Sequence, residues 1–480
     1  MRVRVWLLTL VSIQALFLSG CLSVGPDYNR PDLTPPAQYR FVENTTQAAN
    51  LTDLHWWEVF DDPALQALIK DAIANNLDLQ AAAARVDIAR AQAGIAKAPY
   101  YPQVDGTVSG SIRKSSGGSN VNSEDVRQSV AAGFQLSWEI DVWGRIRRQS
   151  EAATALYLAS EQGRRGVLVT LVGDVASRYF HLRQLDLELA IARRTLGVND
   201  QTVTYFRNRL DGGVSNRLEV DRIVANRSVT AAEIPQIEQE IAIEENALSA
   251  LLGRAPGPIE RAALTPDTQP PLIPAGMPAS LLERRPDVVG AEEMLVAANA
   301  DIGAAKALFF PTISLTGFLG AMSGDLTSLL GRSGDVWSID PGLLQPIFQG
   351  KRLKRNLEAT QARYREALAQ YKQSAINAYR EVADALVAID KLSQVRREHE
   401  TGVTSLQDAS ELARDRYTSG LASYLEILTA DQELFTEELL LAQTRGAELQ
   451  ARTSLYRALG GGWTVATDPN APPSVGFRPL

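Results

Sequence analysis

Two periodicities alternate along this chain. Apolar residues recur three and four positions apart at Leu168, Leu171, Val175, Leu182, Leu185, Leu189, Ala192 and Leu196, with one step of seven. The same spacing returns at Leu357, Tyr364, Leu368, Tyr371, Ala375, Ala378, Val382, Ala385, Ile389 and Leu392. Sustained spacing of this kind predicts long helices packed as coiled coils. No proline lies between Pro102 and Pro235, or between Pro346 and Pro469. A continuous helix from Arg148 to Leu210 would be roughly 90 Å long at about 1.5 Å per residue. A further helix is expected from Asp62 to Ala98, with Pro63 near its start and Pro102 beyond its end.

After Pro102 the period changes to two. Val104, Gly106, Val108, Gly110 and Ile112 alternate with Asp105, Thr107, Ser109, Ser111 and Arg113. Val130, Ala132, Phe134, Leu136 and Trp138 then alternate with Ser129, Ala131, Gly133, Gln135 and Ser137. These predict strands at about 103–113 and 128–138, close to the length a membrane β-strand needs. A second pair is expected at about 311–320, where Ile313, Leu315, Gly317 and Leu319 alternate with polar residues, and at about 336–345, which contains Pro341. A soluble sandwich strand alternates too; the long helices and the N-terminus favour membrane strands. Four strands cannot close a membrane barrel, for which about eight is the minimum, and an open edge is not tolerated in lipid. Several copies must therefore share one barrel, and strand counting leaves two or three copies open.

The two strand pairs belong to an internal repeat. Ala96-Lys97-Ala98-Pro99-Tyr100-Tyr101-Pro102 matches Ala305-Lys306-Ala307-Leu308-Phe309-Phe310-Pro311 at an offset of 209. Arg207, Arg209, Gly213, Leu218 and Glu219 match Arg414, Arg416, Gly420, Leu425 and Glu426 at an offset of 207, as do Leu248, Leu252 and Gly253 with Leu455, Leu459 and Gly460. The expected organisation is a first repeat over 62–253, a linker over 254–280 carrying seven prolines, a second repeat over 281–463 and a tail over 464–480.

The N-terminus changes the picture of where the chain works. Arg2 and Arg4 precede an apolar run from Val5 to Leu18, and Ser19-Gly20 is a small-residue cleavage site. Residues 1–20 are therefore expected to be a signal peptide, and 21–61 an extended N-terminal segment of the exported chain. Removing 1–20 takes away two arginines and no acid, so the net charge moves from -8 to -10. Cys21, the only cysteine, cannot form an internal disulfide. Leu18-Ser19-Gly20-Cys21 resembles the bacterial lipoprotein box, whose cysteine carries lipid, and Leu22 after it resembles lipoproteins sorted to the outer membrane.

An acidic balance argues against nucleic acid as a partner. The three histidines, His55, His181 and His399, lack metal-ligand spacing. No Gly-rich phosphate loop or nucleophilic triad signature is present. Passage, binding or architecture is expected rather than catalysis, with no cofactor beyond the lipid on Cys21. Two motifs read as helix end, tight turn, helix start: Arg209 to Glu219 through Gly213, and Arg416 to Glu426 through Gly420. Ser215 or Asn216, and Ser423, can cap the next helix, with the glutamate in its first turn. Capping is the plain role of Glu219 and Glu426. In a symmetric tube the same glutamates would form an acidic ring at one mouth, which favours cations.

With these residues in view, the chain resembles the TolC-like outer-membrane factor family, in its lipoprotein branch of drug-efflux channels. The resemblance covers nearly the whole length. It rests on Asp62-Pro63-Ala64-Leu65, Trp138 to Arg145, Glu283-Arg284-Arg285-Pro286-Asp287, Phe309-Phe310-Pro311-Thr312-Ile313-Ser314 and Leu459 to Trp463. It implies an α+β membrane protein: a homotrimer with one 12-stranded β-barrel, four strands per chain, continuous with a long periplasmic α-helical barrel. It implies an outer-membrane duct that passively receives small molecules from an inner-membrane pump through a periplasmic adaptor. Protein export and a lipid-anchored coiled-coil stalk are the other readings. By position the periplasmic gate falls on Glu219, Glu426 and Tyr417, and adaptor contact on Gly213, Val214, Gly420 and Leu421. Thr429 and Ala422 stand where some relatives carry an aspartate and an arginine, and Pro235 is expected to interrupt a helix whose other copy has Ala442.

Overall fold

A computed structural model describes residues 23–36, 39, 62–115, 125–262, 282–324 and 335–461. Cys21, most of the Pro-rich linker and Trp463 lie outside them. The described elements are α1 (Pro63–Asn75), α2 (Leu77–Lys97), β1 (Gln103–Ser115), β2 (Asp125–Ile140), α3 (Arg145–Asp211), α4 (Arg217–Leu251), α5 (Pro286–Ala307), β3 (Thr312–Ser323), β4 (Asp335–Leu344), α6 (Arg352–Thr418) and α7 (Tyr424–Ala458). The repeat is visible in the helices: α3 and α6 both have 67 residues, and α4 and α7 both have 35. Among the described residues no helix is long and apolar enough to cross a membrane.

The chain divides into two compact units, each drawing on both repeats. One comprises Met1–Leu33, Ala84–Glu161 and Gly290–Lys372 and contains the sheet. Its strand order is β1-β2-β3-β4, antiparallel throughout. In the same unit, Ala152 and Ala155 of α3 pack on Ala297 and Ala300 of α5. Small side chains let the helix backbones approach. The N-terminal segment straps this helix pair. Asp27 pairs with Arg148 at 2.7 Å, Asn299 donates to the Pro26 carbonyl at 3.0 Å, and Arg30 pairs with Glu292 at 2.9 Å. Gly25 approaches Gly303 so closely that a Cβ at residue 25 would lie 2.5 Å from the Gly303 Cα.

The other unit comprises Thr34–Ala83, Gln162–Val289 and Gln373–Leu480. Its main core joins Leu65, Ile69 and Ala72 of α1 to Val175, Tyr179 and Leu182 of α3, Leu248 of α4, and Leu449 and Tyr456 of α7. Asp62 ties capping to packing. One carboxylate oxygen accepts from the backbone N–H groups of Ala64 and Leu65, at 3.0 and 3.3 Å. The other accepts from the Tyr179 hydroxyl at 2.8 Å and Arg183 at 2.9 Å. Burial, with Asp62 beside it, pushes the Tyr179 hydroxyl up to about 12.

Two helix expectations need correction. The helix expected from Asp62 to Ala98 is two helices. Asn76 sits between them in extended backbone, and its side-chain oxygen accepts from the Leu79 N–H at 2.9 Å. Its amide donates to the carbonyl of Leu251, 175 positions away, at 2.9 Å. That long-range bond holds the break and is invisible to local pattern. Conversely, Pro235 does not interrupt α4, which runs through it from Arg217 to Leu251. Packing on both sides outweighs the lost backbone donor. Thr230 accepts from Asn199 at 3.1 Å, and Ile237 is buried against Leu185 and Ala192.

Candidate functional site

Two places carry the functional geometry, one in each unit. The first is the sheet. Its register puts Val104 opposite Leu136, Val108 opposite Ala132, Phe134 opposite Leu319, and Leu319 opposite Trp337. These share one face with Ile339 and Leu343. The face is apolar and open to the surroundings: Val108 is 81% exposed, Trp337 73% and Leu343 70%. Val104, Phe134, Leu315, Trp337 and Ile339 line a groove of about 570 Å³ on it. The opposite face carries Asp105 beside Gln135 and Ser137, Thr316 and Asp340 in one row. A continuous exposed apolar face of this size is costly in water. The reverse face is polar over β1 and β2 and mixed over β3 and β4, where Phe318, Met322, Val336 and Leu344 lie, so the sheet has the two-sided character of a membrane barrel wall. Pro341 lies opposite Leu315 in β4, which is the outer strand of the sheet within one chain.

Aromatic side chains lock the base of the sheet. Trp138 donates its indole N–H to the Tyr100 carbonyl at 3.1 Å. Trp143 donates to the Pro311 carbonyl at 2.7 Å and stacks on Phe310 with centroids 4.9 Å apart.

The second place is the pair of hairpin turns. At the first, the Gly213 N–H donates to the Leu210 carbonyl and the Val214 N–H to the Arg209 carbonyl. At the second, Gly420 donates to Tyr417 and Leu421 to Arg416 in the same pattern. Both are Schellman caps, which need a left-handed residue, and φ is 74° at Gly213 and 72° at Gly420. Nothing lies within 4 Å of a Cβ built at either, so conformation rather than space demands glycine. Val214 and Leu421, both exposed, are presented by these turns.

The acids differ between the copies. Asn216, rather than Ser215, caps α4 by accepting from the Glu219 N–H at 3.0 Å. Ser215 instead donates its hydroxyl to the Glu219 carboxylate at 2.6 Å. Glu426 lies 3.4 Å from Arg416, and Ser423 makes no side-chain cap. Within one chain each glutamate is thus tied to its own turn.

Tyr417 crosses between the hairpins. It packs with Phe206, Val220, Ile223 and Tyr424. The Phe206 ring lies 4.3 Å from Tyr424 and 6.1 Å from Tyr417. Arg209 lies over Tyr205, Phe206 and Tyr417, at 5.6, 5.9 and 5.8 Å from their centroids. It donates to the Tyr205 hydroxyl at 3.1 Å and the Val214 carbonyl at 3.2 Å. Burial raises Tyr417 above the ordinary tyrosine value; Arg209 opposes that, and Tyr205 and Glu219 add to it. Burial pushes Tyr424 up to about 12. Phe206 and Tyr424 are the residues that the sequence reading missed at this site; Arg209 was placed in the turn motif but not over these rings. Aromatics three and four positions before Arg209 were the available signal.

The outer membrane efflux protein model matches residues 68–254 and 277–461. The chain belongs to the outer membrane efflux protein family. It is 37% identical to "Cation efflux system protein CusC" of Escherichia coli over 452 residues, covering 94% of this chain and 97% of that protein. It is 36% identical to "Probable outer membrane lipoprotein SilC" of Salmonella typhimurium, covering 95% and 99%. A crystal structure of CusC superposes with a TM-score of 0.82 at 35% identity, covering 91% of this chain and 99% of that one. As a family member the chain is an outer-membrane efflux channel component and not an enzyme. Among the described residues no group of three metal-ligating side chains converges.

Proposed function

We propose that three copies of this chain form one duct, with a 12-stranded barrel in the outer membrane and the helices lining a conduit through the periplasm. The observation that carries it is the four-stranded sheet, apolar and exposed on one face, more polar on the other, with β1 and β4 as its two edges. Lipid requires those edges to be paired, and closure by three copies supplies twelve strands. Cys21 bears the lipid anchor, in keeping with the name of SilC. The strap from Ser23 onward then holds the chain just after the anchor against α3 and α5. An unmodified Cys21 in mass spectra of the mature N-terminus would refute the anchor.

Gly213, Val214, Gly420 and Leu421 form the adaptor contact, since the turns present small and apolar groups outward. Glu219, Glu426 and Tyr417 form the periplasmic gate. The inner-membrane pump supplies the energy, and the duct conducts passively. The cargo is small molecules, and the name of CusC adds cations to that class. The test is accumulation of dyes, antibiotics and metal cations in cells lacking the chain and other outer-membrane ducts. Raised accumulation, reversed by the wild-type gene, supports the reading. Unchanged accumulation of all three classes, with export of a protein substrate lost, refutes it.

A further inference from the structure

The two repeats enter their long helices alike but neutralise them differently. Adding 207 carries Gly144, Arg145, Arg147 and Arg148 onto Lys351, Arg352, Lys354 and Arg355. In the first repeat Arg145 pairs with Glu139 at 2.6 Å, and Arg148 with Asp27 at 2.7 Å and Glu151 at 2.9 Å. Asp141 accepts from the Ile146 and Arg147 N–H groups at 3.0 and 2.8 Å, which places a carboxylate at the start of α3. In the second repeat Pro346 stands for Glu139 and Phe348 for Asp141. Arg352 has no carboxylate and donates to Gln349 at 3.1 Å. Arg355 keeps Glu358, the equivalent of Glu151, at 2.6 Å, but nothing takes the place of Asp27. Among the described residues Lys351 and Lys354 form no ion pair.

The result is a patch of uncompensated positive charge at the base of the sheet. Residues 345–355 hold four cations and no acid, whereas 138–148 hold three cations and two acids, and Asp27 balances the third. Cations are disfavoured at the start of a helix, where the backbone dipole presents its positive end. Lys351 stands just before α6, three and four positions from Lys354 and Arg355, and all three are exposed. Ile347 and Phe348, just before them, are 95% and 90% exposed. Apolar side chains followed by a basic cluster suit the boundary between acyl chains and headgroups. The first repeat shows which way this face points. The Val24 N–H donates to the Trp143 carbonyl at 3.0 Å, and a Cβ at Gly144 would stand 2.8 Å from the Ser23 hydroxyl oxygen. With Cys21 as the anchor, two residues before Ser23, the acyl chains leave the protein beside Gly144 and Arg148. Lys351 and Arg355 are the equivalents of those residues and face the membrane in the same way.

We propose that Lys351, Lys354 and Arg355 bind the headgroup phosphate of an anionic phospholipid in the inner leaflet of the outer membrane, with Ile347 and Phe348 against its acyl chains. The bound lipid occupies in the second repeat the place that the tethered lipid has in the first. The difference in charge follows from this. The first repeat supplies its own carboxylates, Glu139, Asp141 and Asp27, and the second takes its anion from the membrane. Arg355 brings a planar guanidinium suited to phosphate oxygens, and the two lysines bring compact charge. A zwitterionic headgroup carries its own cation, which this cluster repels. The inference rests on the lipid-anchored, membrane-embedded reading and adds a lipid site to it.

The test is native mass spectrometry of the full-length chain in mild detergent, titrated with phosphatidylglycerol or with phosphatidylcholine. The wild-type chain should retain phosphatidylglycerol in clear preference. The Lys351→Gln/Lys354→Gln/Arg355→Gln variant should bind it roughly tenfold more weakly, with phosphatidylcholine binding unchanged. Phe348→Asp removes no cation and restores the arrangement of the first repeat, so it should lower the same preference in a chain that folds. Excess inorganic phosphate should leave the bound phosphatidylglycerol in place, because the acyl chains contribute to holding it; full displacement would assign the cluster to free phosphate and overturn the lipid site. Wild-type affinity in the triple variant, or in Phe348→Asp where the triple variant does not assemble, would also overturn it. Equal binding of the two lipids by wild-type particles that conduct current would overturn the site and leave the duct intact.

Discussion

The guanidinium of Arg209 lies 5.8 Å from the ring centroid of Tyr417, linking the first hairpin turn to the second. Arg209 also donates to Tyr205, so the cation is held from both sides. This contact joins the two turns, and in the proposed gate it would hold them together.

Arg209→Ala should therefore weaken the closed mouth. Arg209 is partly solvent-exposed and lies over three rings, so its loss should raise the open-to-closed ratio by a modest, measurable factor. Open probability of single channels in a planar bilayer reads this directly. Arg209→Lys, which keeps the charge but loses the planar stack, should fall between the two. An unchanged open probability in Arg209→Ala would separate this contact from gating.

The acids make a distinct prediction. Glu219 is held by Ser215 and Glu426 by Arg416, so both carboxylates sit at the turns with local partners. The Glu219→Ala/Glu426→Ala double variant should lose cation preference and show higher conductance, measured by reversal potentials in asymmetric salt. Wild-type selectivity and conductance would assign both residues to helix capping alone.

Two glycines separate conformation from space. At Gly213 only the left-handed backbone resists a side chain, and Gly213→Ala should cost about 1–2 kcal/mol. At Gly253 φ is also positive, and a Cβ would stand 2.3 Å from the Asn75 carbonyl oxygen, beside the helix break at Asn76. Gly253→Ala should lower the thermal midpoint clearly more than Gly213→Ala.

Glu188 supplies a pH dependence. Burial holds its carboxyl above the ordinary range, and Glu240 adds to this, while Gln184, Gln443 and His181 pull it down. The folded chain therefore binds this proton more tightly than the unfolded chain. The contribution to stability is greatest below the unfolded-state value and falls as pH rises through the folded-state value. Glu188→Gln should raise the thermal midpoint at pH 8 and leave it unchanged at pH 4. Equal shifts at both values would contradict the assignment.

Much of the fold is legible from spacing alone because both repeats repeat their backbone signals. Gly213 and Gly420 mark the same Schellman turn, and Gly253 and Gly460 mark another. The strand alternation survives because membrane strands keep one face apolar throughout. What local pattern could not give depends on distant partners. Asn76 breaks a helix through a bond to Leu251, and Pro235 is tolerated through the packing of its neighbours. At the turns, the positions of Glu219 and Glu426 follow from the repeat and that of Tyr417 from the family resemblance, but the contact of Tyr417 with Phe206 and Arg209 requires two hairpins side by side.

The most direct test of the duct is the single-channel current of the purified full-length chain in a planar bilayer. The account predicts discrete current steps with cation preference from a particle of three copies. Protein that inserts into the bilayer as that particle and passes no current, both as wild type and as the Glu219→Ala/Glu426→Ala variant, would contradict it.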